Sequence, residues 1–258
     1  MTRINVVTGA ASGIGRATKE LLEQRGETVI GVDLQGTDVD ADLTTAEGRA
    51  TLVSEAERRS GGRVDAVFAV AGLALPVPAT VGVNYFGMVA TLEGLRPLLA
   101  ASDAPRAVGV TSMASLMPVD DELVALMRAG DEAGALARAE VVSQGEEGNA
   151  IYASTKKAFA LWIRTRAATP EWAGASIPLN AIAPGIIETP MTAPMLGTAE
   201  EREAVLQMVP MPLGGVAQPI VTAYLLAWLG SPENTHLCGQ VVFVDGGSDV
   251  VIRGDSTW

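Results

Sequence analysis

The sequence predicts an α/β fold: one domain over residues 1–258, built on a doubly wound parallel sheet of about seven strands with helices on both faces. Three observations predict it. Apolar runs such as Asp65-Ala-Val-Phe-Ala-Val70 are nearly continuous, as in strands covered on both sides. They alternate with stretches of helical periodicity. Small-residue turns, Gly9-Ala-Ala-Ser-Gly13-Ile-Gly15 and Ala71-Gly72, follow two of these runs at the carboxyl ends, where open α/β sheets bind ligands. With 258 residues, 48% of them apolar, the chain can bury one large core.

Composition narrows the function. Eighteen Lys and Arg against 30 Asp and Glu give a net charge of −12 and argue against a nucleic-acid partner. No apolar stretch approaches the roughly 18 residues that span a bilayer, and Met1-Thr-Arg-Ile4 has no signal-peptide layout, so a cytoplasmic protein with no membrane partner is expected. One cysteine, Cys238, and one histidine, His236, exclude an internal disulfide and leave no metal site to expect. Both belong to a loop entering the last strand.

In chain order, Ile4–Thr8 is a β-branched strand, and helical periodicity follows the glycine turn from Arg16 to Arg25. Strand, glycine turn and helix together suit a pyrophosphate, held by free amides and the positive end of the helix dipole. The spacing is Gly-x-x-x-Gly-x-Gly. A second strand, Thr28–Asp33, ends in a carboxylate that suits the two ribose hydroxyls of NAD and repels the 2′-phosphate of NADP. Arg16 is the counter-argument. Asp42-Leu43 follows a short extended piece and can meet an adenine, though a cap for the helix Thr45–Arg59 also explains Asp42 or Thr44.

After Ala71-Gly72 comes a helix over Val81–Leu99 that carries Asn84, a cap or core amide as readily as a functional one. The strand Ala107–Thr111 then delivers Ser112 to the ligand edge. The helix Ala150–Thr169 holds Tyr152 and Lys156 on one face, where an ammonium can lower the phenol's pKa. Neither Tyr85 nor Tyr224 has a lysine four residues on; Val89 and Trp228 stand there. Further elements are a strand Ser176–Ile182, the turn Ala183–Pro190, a helix Gln218–Leu229 and a strand Gln240–Val244. Between Met191 and Met211, the apolar Met195, Leu196, Val205 and Met208 suit either a mobile lid over an apolar substrate or ordinary helix core.

Thr8-Gly-Ala-Ala-Ser-Gly-Ile-Gly15, Asp33, Ala71-Gly72, Asn84, Ser112, Tyr152-x-x-x-Lys156 and Pro184-Gly185 occur in the order of the short-chain dehydrogenase/reductase family, which the chain resembles over most of its length. Val83–Gly87, Ala41–Gly48 and the long segment before Tyr152 resemble its bacterial 3α-hydroxysteroid dehydrogenase/carbonyl reductase group. Monocyclic terpene alcohol and aryl alcohol dehydrogenases are similar too. The resemblance implies a Rossmann-type sheet and an NAD-dependent oxidoreductase acting on an apolar cyclic alcohol or ketone, first a 3α-hydroxysteroid. It implies Tyr152 as acid and base, Ser112 as partner of the substrate oxygen, Lys156 as tuner of the tyrosine and holder of the ribose, and Asn84 as holder of a water. It places the cofactor on Gly9, Ser12, Gly13, Ile14, Gly15, Asp33, Leu34, Asp42, Leu43, Ala71, Gly72, Tyr152, Lys156, Pro184, Gly185, Ile187 and Thr189. A non-catalytic nucleotide-binding protein is the rival from another class; such proteins usually lose the tyrosine or lysine.

Two features depart from the family. Val70 stands where asparagine is common, which puts a stabilising hydrogen bond in doubt. Forty positions, rather than about a dozen, separate Ser112 from Tyr152. The excess, about 119–147, reads as two short amphipathic helices beside the site's mouth. Family tetramers often pack the flanking helices against a partner, so the insert implies a homo-oligomer with a dimer favoured over a tetramer.

Overall fold

The computed structural model describes residues 2–145 and 150–257. Seven parallel strands form one sheet: β1 Ile4–Thr8, β2 Thr28–Asp33, β3 Val39–Asp40, β4 Ala66–Ala69, β5 Arg106–Val110, β6 Leu179–Pro184 and β7 Val241–Val244, in the order β3-β2-β1-β4-β5-β6-β7. The chain runs outward from β1 to β3, then returns to β4 on the other side of β1. That reversal opens a crevice at the carboxyl ends of β1 and β4.

β4 and β5 are buried at every residue, which is why their sequences do not alternate. One face of the sheet packs α2 (Ala46–Ser60), α4 (Met88–Leu99) and α7 (Ala150–Arg166) through Leu52, Leu92, Leu95 and Phe159. The other packs α1 (Gly13–Gln24) and α9 (Pro219–Leu229) through Leu22, Phe68 and Leu226. Cys238 lies between α9 and β7, its thiol 3.4 Å from the Ala167 carbonyl, and His236 is exposed beside Thr235. Among the described residues no helix is long and apolar enough to cross a membrane.

Four local features differ from the sequence reading. α1 starts at Gly13, so its first turn belongs to the glycine loop. The helix expected at Val81–Leu99 begins as α3 (Pro78–Val81), passes through a π-helical turn at Gly82–Gly87 and continues as α4. β6 lies three residues later at its start and two later at its end than expected, because Ser176 takes a left-handed conformation (φ 61°) that closes a turn. A terminal helix, α10 (Ser248–Arg253), is added after β7, its first turn held by the Asp245 carboxylate through the Gly247 and Asp249 amides.

The expected insert comprises α5 (Asp121–Ala129) and α6 (Glu132–Ser143), each opened by an aspartate cap; positions 146 and 147 of the expected range lie outside the described residues. α5 packs on α7. The segment expected as a lid forms a short 3-10 turn, Ala193–Met195, and α8 (Ala199–Met208). Thr198 and Glu201 close a capping box at its start, and no residue of α8 is buried.

Candidate active site

The crevice is an open cleft of about 520 Å³. Its floor depends on two close approaches. Gly9 has φ 71°, and a Cβ there would stand 2.9 Å from the Ala71 Cα, so the tips of β1 and β4 meet only because no side chain intervenes. Gly13 has φ 52°, with the Thr189 methyl 3.1 Å from where its Cβ would be. Thr8 Oγ1 accepts from both the Val70 and Ala71 amides, at 3.0 and 3.1 Å. That hydroxyl fastens the two strand tips from the β1 side, so the valine at position 70 leaves the turn held.

α1 begins at this turn. Ser12 makes no side-chain cap, and no acidic residue occupies the first turn, so the helix start is neither capped by a side chain nor negatively charged. The donor set therefore suits a pyrophosphate. At the end of β2, the Asp33 carboxylate faces the cleft while accepting from the Ala11 amide (2.9 Å) and the Leu34 amide (2.7 Å). Asp42 lines the cleft too, but its Oδ1 closes a turn by accepting from the Thr44 amide and hydroxyl, at 2.9 and 2.7 Å. The cap of α2 is Thr45, whose hydroxyl accepts from the Gly48 amide.

β5 is followed by Thr111-Ser112, and Ser112 caps a 3-10 turn, its Oγ accepting from the Ala114 amide at 3.1 Å. Tyr152, from the first turn of α7, lines the cleft together with Ser112. Lys156 is buried one turn on, its Nζ 5.6 Å from the centre of the Tyr152 ring and donating to the Val110 carbonyl at 3.1 Å. Burial pushes the phenol above its ordinary value, opposed by Ser112, and drives the ammonium down from 10.5 to about 8. The sequence argued for a lowered phenol. Desolvation of the phenolate is the largest cause, while the ammonium faces the ring and a carbonyl.

Every residue singled out for the cofactor lines this cleft, as do Ser112, Tyr152 and Lys156. Asn84 does not. It is fully buried in the π turn, its Oδ1 accepting from the Leu73 amide (2.8 Å) and its Nδ2 donating to the Leu73 carbonyl (2.8 Å) and Thr155 Oγ1 (3.2 Å). The side chain thus joins the turn after β4 to α7, with one Oδ1 lone pair left for a water. The sequence reading passed over Thr192, which also lines the cleft and whose hydroxyl donates to the Ile187 carbonyl (2.6 Å) and accepts from the Thr189 amide (3.0 Å). Its one signal was the Thr-x-x-Thr spacing from Thr189.

Beyond the turn that follows β5, Met113, Val209 and Met211 form a small apolar cluster with Met117, Leu206 and Phe243 packed against it. Leu73, Val83 and Met191 line the neighbouring cleft wall. The arrangement offers two hydroxyls at an apolar surface, a buried ammonium beneath them and an anion-binding helix start alongside. Among the described residues no group of three or more His, Cys, Asp or Glu could hold a metal ion.

The enoyl-(acyl carrier protein) reductase family model matches residues 9–249. The chain is 37% identical over 256 residues to the 3-alpha-hydroxysteroid dehydrogenase/carbonyl reductase of Comamonas testosteroni, covering 97% of this chain and 98% of that protein. It is 30% identical to a 3-oxoacyl-[acyl-carrier-protein] reductase of Thermotoga maritima, covering 95% and 97%. The crystal structure of the 3-alpha-hydroxysteroid dehydrogenase from Pseudomonas sp. B-0831, complexed with NADH, superposes with a TM-score of 0.89 at 39% identity, covering 98% of this chain and 99% of that one.

Proposed function

The chain belongs to the short-chain dehydrogenase/reductase family, and from that membership we propose that it is an NAD-dependent alcohol dehydrogenase/carbonyl reductase. It interconverts a secondary alcohol and a ketone on an apolar cyclic substrate, first among them a 3α-hydroxysteroid. The observation that carries this reading is the convergence of Tyr152 and Ser112 on the glycine-floored cleft, with Lys156 behind the tyrosine.

A nicotinamide dinucleotide bound in the cleft would accept or supply the hydride. The residues that would hold it are those of the glycine turn for the pyrophosphate, Asp33 for the adenosine ribose, Lys156 for the nicotinamide ribose and Thr189 for the carboxamide. Asp33 supports NAD over NADP, because its carboxylate stands where a 2′-phosphate would bring like charge.

The proton chemistry belongs to the chain. In the oxidation direction Tyr152 Oη takes the proton of the substrate hydroxyl, and in reduction it returns it. Ser112 Oγ hydrogen-bonds the same substrate oxygen and steadies its developing charge. Lys156, poised near neutrality by burial, carries a proton that can pass to the tyrosine side, and Asn84 holds the neighbouring turn and a water in place. Met191, exposed on the cleft wall, offers an adaptable surface to an apolar ring. NAD- and NADP-linked oxidation of 3α-hydroxysteroids, cyclic terpenols and aryl alcohols tests the reading. Fastest turnover of a 3α-hydroxysteroid with NAD is expected, and no oxidation of any of them sinks it.

The packing of α5 on α7 supports a dimer, because the insert covers a helix face that a tetramer would need.

A further inference from the structure

The insert takes no part in that mechanism, yet it reaches the cleft through one side chain. Arg49, in the first turn of α2, has 14% of its side chain exposed. Its Nε donates to the Leu43 carbonyl at 2.7 Å, and its Nη2 to the Thr44 and Gly82 carbonyls at 3.3 and 3.2 Å. Nη1 and Nη2 also form a two-pronged pair with Glu132, at 2.8 and 2.6 Å. Leu43 and Thr44 line the cleft, Gly82 opens the π turn that carries Asn84, and Glu132 is the first residue of α6. One guanidinium therefore joins the cleft wall, the π turn and the insert.

The cleft loop and the π turn also touch directly. A Cβ on Gly87 would stand 3.0 Å from the Leu43 carbonyl oxygen, and one on Gly82 would stand 3.3 Å from the Thr44 Cβ. A shift of either piece is felt by the other. The insert is anchored at its far side as well: the Asp120 amide donates to Ser154 Oγ on α7 at 2.9 Å, and Arg138 of α6 pairs with Asp120.

We propose that the insert is a positioning element for the cleft: Glu132 fixes Arg49 in the orientation that clamps the Leu43-Thr44 loop to the π turn. Carbonyls alone hold a guanidinium less firmly than a carboxylate does, because the charged pair supplies the stronger bonds and the planar register. Without the carboxylate, Arg49 is free to turn toward solvent, and the loop keeps only its own turn bonds. For the effect on cofactor affinity the proposal rests on the dinucleotide reading of this cleft.

The test uses the full chain and the variants E132Q, R49K and E140Q, the last an exposed position on the same helix. NADH affinity is read by calorimetry, and hydrogen exchange of the Thr44 and Thr45 amides is read in the free protein. E132Q should weaken NADH three- to tenfold with kcat within twofold, and R49K should weaken it more, because lysine cannot form the two-pronged pair. Both should speed exchange of those two amides, while E140Q matches the parent chain. Unchanged NADH affinity and unchanged exchange in E132Q, even with a lower Tm, overturn the proposal and leave the dehydrogenase reading untouched. Faster exchange in E132Q, in a protein whose parent chain takes up no NADH, supports the clamp and overturns the dehydrogenase reading instead.

Discussion

α7 and the 191–208 segment that ends in α8 border the same cleft, and they are held in contrasting ways. Nine of the 17 residues of α7 are buried. Three consecutive residues bind three parts of the chain: Ser154 accepts from Asp120 of the insert, Thr155 from Asn84 of the π turn, and the Lys156 carbonyl from Thr111, just after β5. α8 buries none of its residues and is held by its capping box, by Leu206 against the methionine cluster, and by Arg202, which pairs with Glu188 and donates to the Leu196 carbonyl. The hydroxyl that must meet one atom with sub-ångström accuracy thus rides on the most tied helix. The Met191-Thr192 part of the cleft wall leads instead into a helix with no buried residue, where local opening costs least.

Changes on α7 should act on chemistry and global stability, and changes on α8 on substrate range. The largest effect is expected from Tyr152→Phe, which keeps the ring and removes the proton carrier: turnover should fall about 10³- to 10⁴-fold. NADH binding should persist, and a variant with near-normal turnover would refute the assignment. Next comes Gly109→Ala in β5, whose added methyl would lie 2.5 Å from the Phe159 ring under α7. Denaturant unfolding should show a loss of ~1–3 kcal/mol.

Lys156→Met should abolish activity yet stabilise the free protein. The folded chain releases this proton near pH 8 and the unfolded chain near 10.5, so the ammonium costs stability below about pH 8, and that cost fades as pH rises toward 10.5. A gain of ~1–3 kcal/mol at pH 7 is expected, part of it offset by the unpaired Val110 carbonyl, and it should shrink by pH 10. The smallest effect is expected from Thr198→Ala. Loss of the capping box costs α8 ~1 kcal/mol locally, but Tm should barely move, while KM for bulky alcohols changes a few-fold. A large drop in Tm would show that α8 is more firmly bound than its burial suggests.

The sheet and the cleft were legible in the sequence because both rest on short-range signals. Unbroken apolar runs mark covered strands, and small residues at strand ends mark close backbone approach. Tyr152, Ser112 and the glycine turn could be placed from the motif order. What escaped was set by tertiary context. Nothing local distinguishes Gly82–Gly87 from an ordinary helical turn, and the start of β6 was misplaced by a left-handed serine. The direction of the Tyr152 shift depends on how deeply α7 is covered, which four-residue spacing does not report. Arg49 drew no attention because its partners lie in three separate stretches of chain.

The π turn sets a limit of a different kind. It holds one residue more than a regular turn would, and each helical residue advances the direction of a side chain by about 100°. Deleting any single position between 82 and 87 would let the helix close regularly, but it would swing either Asn84 away from Leu73 or the Leu92, Leu95 and Leu99 stripe out of the core. This stretch should therefore refuse to become shorter, so that a shortened chain would misplace its core or its amide however conservative its remaining spelling.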